Sequence, residues 1–230
     1  TWIDILPERN SLKELAKKYH LSEIDIEDIL SPNKRSKVQK YPNYIFLVLI
    51  FPVFNRKTRS IESSEVDFFI GEKFIISCHR GNLPPLVDMV YICSSLEEMR
   101  NKCMNETTEF LLREILHKLS LYCFPMLDHI NLDIGDMEEQ LFEKGKEREA
   151  VKSILLIRKN ISDMRRIMRA HKNTLVHLMR KEDENFALSQ GVLPLFENIL
   201  DYSKEIWDHL EAYKESIEAL QETNESMISF

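Results

Sequence analysis

Two adjacent carboxylates, Glu27 and Asp28, stand in the densely acidic run Ser22-Glu23-Ile24-Asp25-Ile26-Glu27-Asp28-Ile29-Leu30. Ser22 with Asp25 three residues later is a Ser-x-x-acid variant of the capping box, so the run is predicted to be a short helix. Consecutive helical residues lie about 100° apart around the axis, which keeps the two carboxylates from acting as an acid/base pair on one substrate. They can instead present a divalent-cation site to a second surface. The plainer reading is of acids favoured by the helix dipole, and the residues alone leave both open.

A second acidic set runs from Glu197 and Asp201 through Glu205, Asp208, Glu211, Glu215, Glu218 and Glu222 to Glu225, at steps of three or four. On one face of a helix, like charges at such spacing oppose the fold by a few tenths of a kcal/mol per pair, so the ladder calls for compensation. The segment from Ala150 to Lys181 can supply it, with nine Lys or Arg against the single acid Asp163, a balance of +8. The ladder, nine acids with Lys204 and Lys214, sums to −7. These helices either face one another, within or between subunits, or are solvated faces.

Other chemistry is missing. No Ser or Cys sits at a Gly-rich turn that could build an oxyanion hole, and five glycines in the chain make neither a Gly-x-Gly-x-x-Gly nor a Gly-x-x-x-x-Gly-Lys loop. The chain therefore does not read as an enzyme. Cysteines 78, 93, 103 and 123 contain no Cys-x-x-Cys pair and read as buried reduced thiols. Cys78 and His79 are neighbours in a strand-like run and point to opposite faces, so they are expected to be a core or edge pair and not joint metal ligands.

The 31 basic and 38 acidic side chains give −7, which argues against nucleic acid as the main partner, because that affinity comes mostly from cations on phosphates. No run approaches the ~20 apolar residues of a bilayer span. The chain begins at Thr1 inside a strand-like Trp2-Ile3-Asp4-Ile5 and closes inside a helical pattern, and is expected to be a fragment of a longer protein.

Composition divides the chain near residue 105. Residues 1–105 carry six of the eight prolines and every strong β signal, and are predicted to form an α/β domain. Ser11 is expected to cap a helix with Leu12, Leu15, Ala16 and Tyr19 on one face, and Pro32 to follow the end of the second. Val38 and then Tyr44–Val53 read as one extended segment, whose apolar core Ile45–Phe51 suits a strand buried on both faces. Gly71-Glu72, between Glu65–Ile70 and Lys73–His79, signals a hairpin with a type II′ turn. Pro84 and Pro85 start a helix expected to run through Leu86, Val90 and Met99.

From 106 to 182 the apolar period becomes 3.5. Leu112, Leu116, Leu119, Cys123, Met126, Ile130, Ile134, Met137 and Leu141 predict a first long helix, kinked at Pro125. Glu143-Lys144-Gly145-Lys146 should break it. Ile154, Ile157, Ile161, Met164, Met168, His171, Leu175 and Leu178 predict a second, antiparallel to the first, with His171 buried and hydrogen-bonded in the seam. A third helix, 193–230, starts at Pro194 and carries Ile199, Ile206, Leu210, Tyr213, Ile217, Leu220, Asn224 and Met227, of which Asn224 is a polar seam residue that either fixes register or lies in a frayed end. The predicted class is α+β: an αβα sandwich domain, a long antiparallel helical hairpin and a long final helix.

Several blocks resemble the N-terminal cytoplasmic domain of the CorA magnesium and cobalt transporters: Thr1-Trp2-Ile3-Asp4-Ile5, Glu27-Asp28-Ile29-Leu30, Arg35-Ser36-Lys37-Val38, Tyr41-Pro42-Asn43-Tyr44-Ile45-Phe46, and Leu195-Phe196-Glu197-Asn198-Ile199-Leu200-Asp201-Tyr202. The resemblance implies a funnel-shaped homopentamer on the cytoplasmic face of the inner membrane. It implies further that the final helix is a stalk running into a membrane helix beyond this chain. It also implies an intersubunit Mg²⁺ site made by Glu27 and Asp28 with a stalk position matched by Asn198. There the family's aspartate is replaced by a neutral amide oxygen, and first-shell binding should weaken accordingly. A further acidic position of the family matches His117, which suits Zn²⁺ or Co²⁺ better than Mg²⁺ and keeps the ZntB-type zinc transporters open. Asp201, in the acidic ladder, completes the candidate set. The expected ligand is Mg²⁺, with Co²⁺ or Zn²⁺ as alternatives, and the expected partner is the chain itself. A soluble coiled-coil scaffold is the competing class.

Overall fold

The computed structural model describes residues 1–31, 35–104, 107–141, 147–181 and 185–229. Pro32 and the expected break at Glu143-Lys144-Gly145-Lys146 lie outside them. Five strands, β1 (Trp2–Ile5), β2 (Lys37–Lys40), β3 (Tyr44–Asn55), β4 (Ser60–Gly71) and β5 (Ile75–His79), form one sheet in the order β1-β5-β4-β3-β2. Only the β1–β5 pair is parallel. The fold is α+β, with helices on both faces of the sheet.

Strand alternation decides what each face covers. Phe46 and Val48 of β3, Phe69 of β4, and Ile76 and Cys78 of β5 meet Leu12 of α1 (Arg9–Tyr19) and Ile26 and Ile29 of α2 (Glu23–Leu30). Ile45, Leu47, Leu49 and Phe51 of β3, with Val66, Phe68 and Ile70 of β4, point the other way, into a larger core shared with all the later helices. The apolar run of β3 is thus buried on both sides, as its sequence predicts.

Val38 and Tyr44–Val53 are not one extended segment. β2 and β3 fold back as an antiparallel pair, with Val38 opposite Leu47 and Lys40 opposite Ile45. The turn between β4 and β5 also differs from expectation. The Gly71 amide donates to Phe74 O at 2.9 Å, so Glu72 and Lys73 are the central residues, and the only glycine at positive φ among those described is Gly81. Gly71 is required for space: a Cβ there would lie 2.2 Å from the Phe74 ring. Ser11 is not a cap, because α1 begins at Arg9 behind Glu8, which makes no side-chain cap bond. Ser22 does cap α2, accepting from Ile24 N.

The helices after the sheet are more segmented than their periodicity suggests. The helix expected from Pro84 through Met99 is two, α3 (Pro84–Ser95) and α4 (Glu97–Met104). The first hairpin arm is α5 (Thr108–Leu121) and α6 (Phe124–Leu141), with the break at Tyr122–Cys123. Pro125 therefore sits in the first turn of α6, where its missing N–H has no helical acceptor to lose, and it does not kink a continuous helix. The second arm is α7 (Glu147–Met168) and α8 (His171–Met179). The last helix, α9 (Leu193–Ser229), is 37 residues long, or roughly 55 Å at 1.5 Å per residue.

The seam residues predicted for α7 and α8, from Ile154 to Leu178, are buried, as are Ile199, Ile206, Leu210, Ile217 and Asn224 of α9. All four cysteines are buried and free. His171 lies in the core with Nε2 2.6 Å from Ile50 O and its ring edge-on to Phe51. His79 pairs with Asp4 at the β1–β5 edge, Nε2 to Oδ2 3.2 Å, while Cys78 enters the core on the opposite face.

Candidate cation-binding site

Local sequence builds the α2 end of the site. The capped start of α2 is anchored through Asp25, which is 1% exposed and accepts from the hydroxyls of Tyr41 (3.2 Å) and Tyr44 (3.0 Å). Tyr44 in turn accepts from Ser22 N at 2.9 Å. Asp25 is thus a tie to the β2–β3 hairpin and not a capping-box partner, and burial pushes its carboxyl above the ordinary value. The two tyrosines, one on each side of the β2–β3 turn, were the sequence signal for this anchor.

With Asp25, Ile26 and Ile29 turned inward, helical spacing turns Ile24, Glu27 and Asp28 outward together, at i, i+3 and i+4. Ile24 is 73% exposed, and the side chains of Glu27 and Asp28 are 57% and 29% exposed. Each carboxylate has a resident cation. Arg9 of α1 grips Glu27 through both nitrogens, at 2.5 and 3.2 Å, which holds the Glu27 carboxyl below its usual value. Lys37 Nζ bonds Asp28 and also lies over the Phe46 ring at 5.3 Å. The Arg-x-Lys-Val block at 35–38 therefore has a physical reason, since its lysine is the counter-ion of Asp28. Arg9 has no counterpart in the sequence reading; its spacing from Glu27 becomes meaningful only once α1 and α2 pack. Behind this pair the buried Asp67 of β4 is raised well above the ordinary carboxylate value by desolvation and by Glu65.

The other candidates lie across the sheet. Asn198 and Asp201 are exposed near the start of α9, and Asp201 pairs with Lys204 at 2.7 Å. Asp201, Glu205 and Asp208 border one shallow surface groove with His209. His117 of α5 packs against Tyr202 of α9 at 5.6 Å, one turn from Asn198. Its Nδ1 is buried without a hydrogen-bond partner among the described residues, and burial, reinforced by Arg113, lowers its pKa. Since α2 covers one face of the sheet and α9 packs in the core on the other, one copy does not bring Glu27 and Asp28 to Asn198 and Asp201. No group of three or more His, Cys, Asp or Glu among the described residues is placed to hold a metal. A cation shared by these residues would have to lie between copies.

The basic helix meets the acidic ladder through Arg165. Arg165 donates to Glu211 Oε1, with Nε at 3.1 Å, and stacks over Trp207 at 5.4 Å, while Arg158 donates to Gln221. Most of the ladder, including Glu197, Glu205, Asp208, Glu215 and Glu222, is exposed. The full-face pairing is not realised within one copy, because the α7–α9 interface is built by apolar seams that leave most of the charges outside.

A helix-covered sheet joined to a hairpin and a 37-residue helix defines an α+β domain. The CorA-like Mg2+ transporter protein family model matches residues 1–230, and the chain belongs to that family, one of ion transporters and not of enzymes. It is similar to the cobalt/magnesium transport protein CorA of Thermotoga maritima, with 22% identity over 231 residues, all of this chain and 64% of that protein. The chain thus spans somewhat under two thirds of the length of that curated relative. Its fold is similar to the soluble domain of CorA from Methanocaldococcus jannaschii, at TM-score 0.76 and 18% identity, covering 98% of this chain and 87% of that one. It is also similar to the ZntB cytoplasmic domain from Vibrio parahaemolyticus, at TM-score 0.69 and 11% identity, covering 99% and 87%. No helix among the described residues is long and apolar enough to cross a membrane.

Proposed function

We propose that this chain is the cytoplasmic, divalent-cation-sensing part of a CorA-type Mg²⁺ and Co²⁺ transport channel that works as a homopentamer. The observation that carries this reading is the outward face of α2, where an exposed Ile24 stands beside Glu27 and Asp28. An apolar residue flanked by two carboxylates suits a contact with a second copy, where the apolar area is buried and a cation bridges the acids to Asn198 and Asp201 of the neighbouring α9.

Electrostatics supplies the switch. Each copy carries −7, so five sum to −35, and two like charges about 4 Å apart repel by up to ~4 kcal/mol at an effective dielectric near 20. Bound divalent cations offset this repulsion and favour the closed assembly. As the cation concentration falls the sites empty, the copies separate, and α9 transmits the change toward the pore. Arg9 and Lys37 set the threshold: a cation must displace or share the carboxylates they hold, and the neutral Asn198 oxygen adds no charge, so binding is weak and largely through the cation's own waters.

Sedimentation velocity with EDTA and with millimolar Mg²⁺ tests this. A shift toward a larger species with Mg²⁺ is expected, and identical distributions, at concentrations where some oligomer exists, would count against sensing. A zinc-type reading rests on His117, whose neutral imidazole carries an unpartnered Nδ1. It predicts a response to Zn²⁺ that His117→Ala abolishes.

A further inference from the structure

A basic concavity of this acidic chain lies away from the cation site. A cleft of about 890 Å³ opens between the sheet, the segment after β5 and the α7–α8 junction, and four arginines line it: Arg35, Arg80, Arg166 and Arg169. The one acid in its wall is Glu65, so the lining sums to +3 in a chain of −7. Arg166 also pairs with Asp163 at 2.9 Å.

Neutral donors join the arginines. Ser64 donates to Asn82 Oδ1 at 2.5 Å, which leaves the Asn82 amide nitrogen as a donor in the same wall. Ala170, the residue before α8, gives it no side-chain cap, so the uncapped start of a nine-residue helix lies where Ala170 and Asn173 border the cleft. Ile50 and Ile167 give it an apolar patch. Guanidinium forks match phosphoryl oxygens bidentately, helix N-termini favour anions, and the volume is within the ~300–1,000 Å³ range of small-molecule sites.

We propose that this cleft binds a small polyphosphate anion of the nucleoside di- or triphosphate class. Its phosphoryl groups lie among the four arginines and the start of α8, and its apolar part lies against Ile50 and Ile167. A chain of two or three phosphates offers more phosphoryl oxygens than a single phosphate and can engage more of these guanidinium groups at once. The site involves none of the residues of the cation reading and stands or falls separately from it.

Calorimetry on the 230-residue chain in EDTA at about 0.15 M salt, where counter-ion screening is physiological, tests the assignment with ATP, inorganic tripolyphosphate and inorganic phosphate as probes. ATP and tripolyphosphate should bind in the micromolar to sub-millimolar range, with inorganic phosphate at least about tenfold weaker, 1.4 kcal/mol. Tighter binding of ATP than of tripolyphosphate would place the base on the apolar patch, and equal binding would assign recognition to the phosphates alone. The double variant Arg80→Ala/Arg169→Ala should weaken both by at least tenfold, and Arg80→Lys/Arg169→Lys should recover part of the loss. These side chains are exposed, so thermal unfolding should be unchanged. No heat with any probe at millimolar concentration would overturn the proposal, as would phosphate binding as tightly as tripolyphosphate. An arginine variant that alters the oligomer while the parent binds no probe would show the cleft to be a seat for acids of another copy, and would also overturn it.

Discussion

Replacing His171 with Gln should flatten the acid side of the stability profile. His171 Nε2 donates to Ile50 O at 2.6 Å from inside the core, and burial pushes its pKa from 6.5 down to about 4. The folded state therefore refuses a proton that the unfolded chain accepts at 6.5. The associated stability is fully present above pH 6.5 and is lost as pH falls through the window down to about 4. At 1.36 kcal/mol per pKa unit, the 6.5-to-4 difference corresponds to about 3 kcal/mol, a large share of a typical domain's 5–15. Gln can carry its amide nitrogen to nearly the same point and still donate to Ile50 O, but it does not titrate. Urea unfolding of parent and His171→Gln at half-unit steps from pH 7.5 to 4 reads the difference. The variant should cost about 1 kcal/mol at pH 7.5, then lose about 3 kcal/mol less than the parent on acidification. Asp25 and Asp67, whose raised values act in the opposite sense, are present in both proteins and cancel. Parallel loss of stability in the two proteins would refute the reasoning.

Two further outcomes follow from contacts between the helices and the sheet or one another. Asn160 of α7 accepts from Ile61 N at 3.0 Å and donates to Arg59 O at 2.9 Å, so Asn160→Leu, which strands both backbone groups, should lower the urea midpoint by an amount equivalent to about 2–4 kcal/mol at unchanged slope. Arg165→Ala removes the Glu211 bond and the Trp207 stack. At this partly exposed site it should cost about 1 kcal/mol at low salt, narrowing as salt is added, as a thermal melt would show.

Much of the fold was legible because burial leaves strong patterns. The two-sided strand Ile45–Phe51, the heptad seam through Ile161, Met164 and Leu178, and the start of the last helix at Pro194 each carry one dominant physical signal. The helix breaks at Tyr122–Cys123 and after Met168 were not legible, because the apolar seam keeps its phase through them and periodicity cannot see a local change of backbone. The β2–β3 fold-back escaped for a related reason: both strands belong to one buried layer, and Tyr41-Pro42-Asn43 between them looks as extended as its neighbours. At the site, the sequence pointed to Glu27 and Asp28 but not to Arg9, whose partner is eighteen residues away and is set by the packing of α1 on α2. Asp25 read as a cap because its acceptor role toward Tyr41 and Tyr44 exists only in three dimensions.

The central claim, that Glu27 and Asp28 of one copy and the Asn198 region of another share a regulatory cation, is tested most directly by Mg²⁺ calorimetry on the parent, Asn198→Asp and Asp28→Ala, each paired with sedimentation. Asn198→Asp restores a negative charge at an exposed position of α9 and should bind Mg²⁺ about tenfold tighter, a gain of 1.4 kcal/mol, with an oligomer that depends more strongly on Mg²⁺. Asp28→Ala removes a carboxylate that Lys37 holds in the single copy and should weaken both. If Asn198→Asp binds no better and Asp28→Ala binds no worse, the two faces do not share a cation, and the account of this chain as a divalent-cation sensor through that site is contradicted.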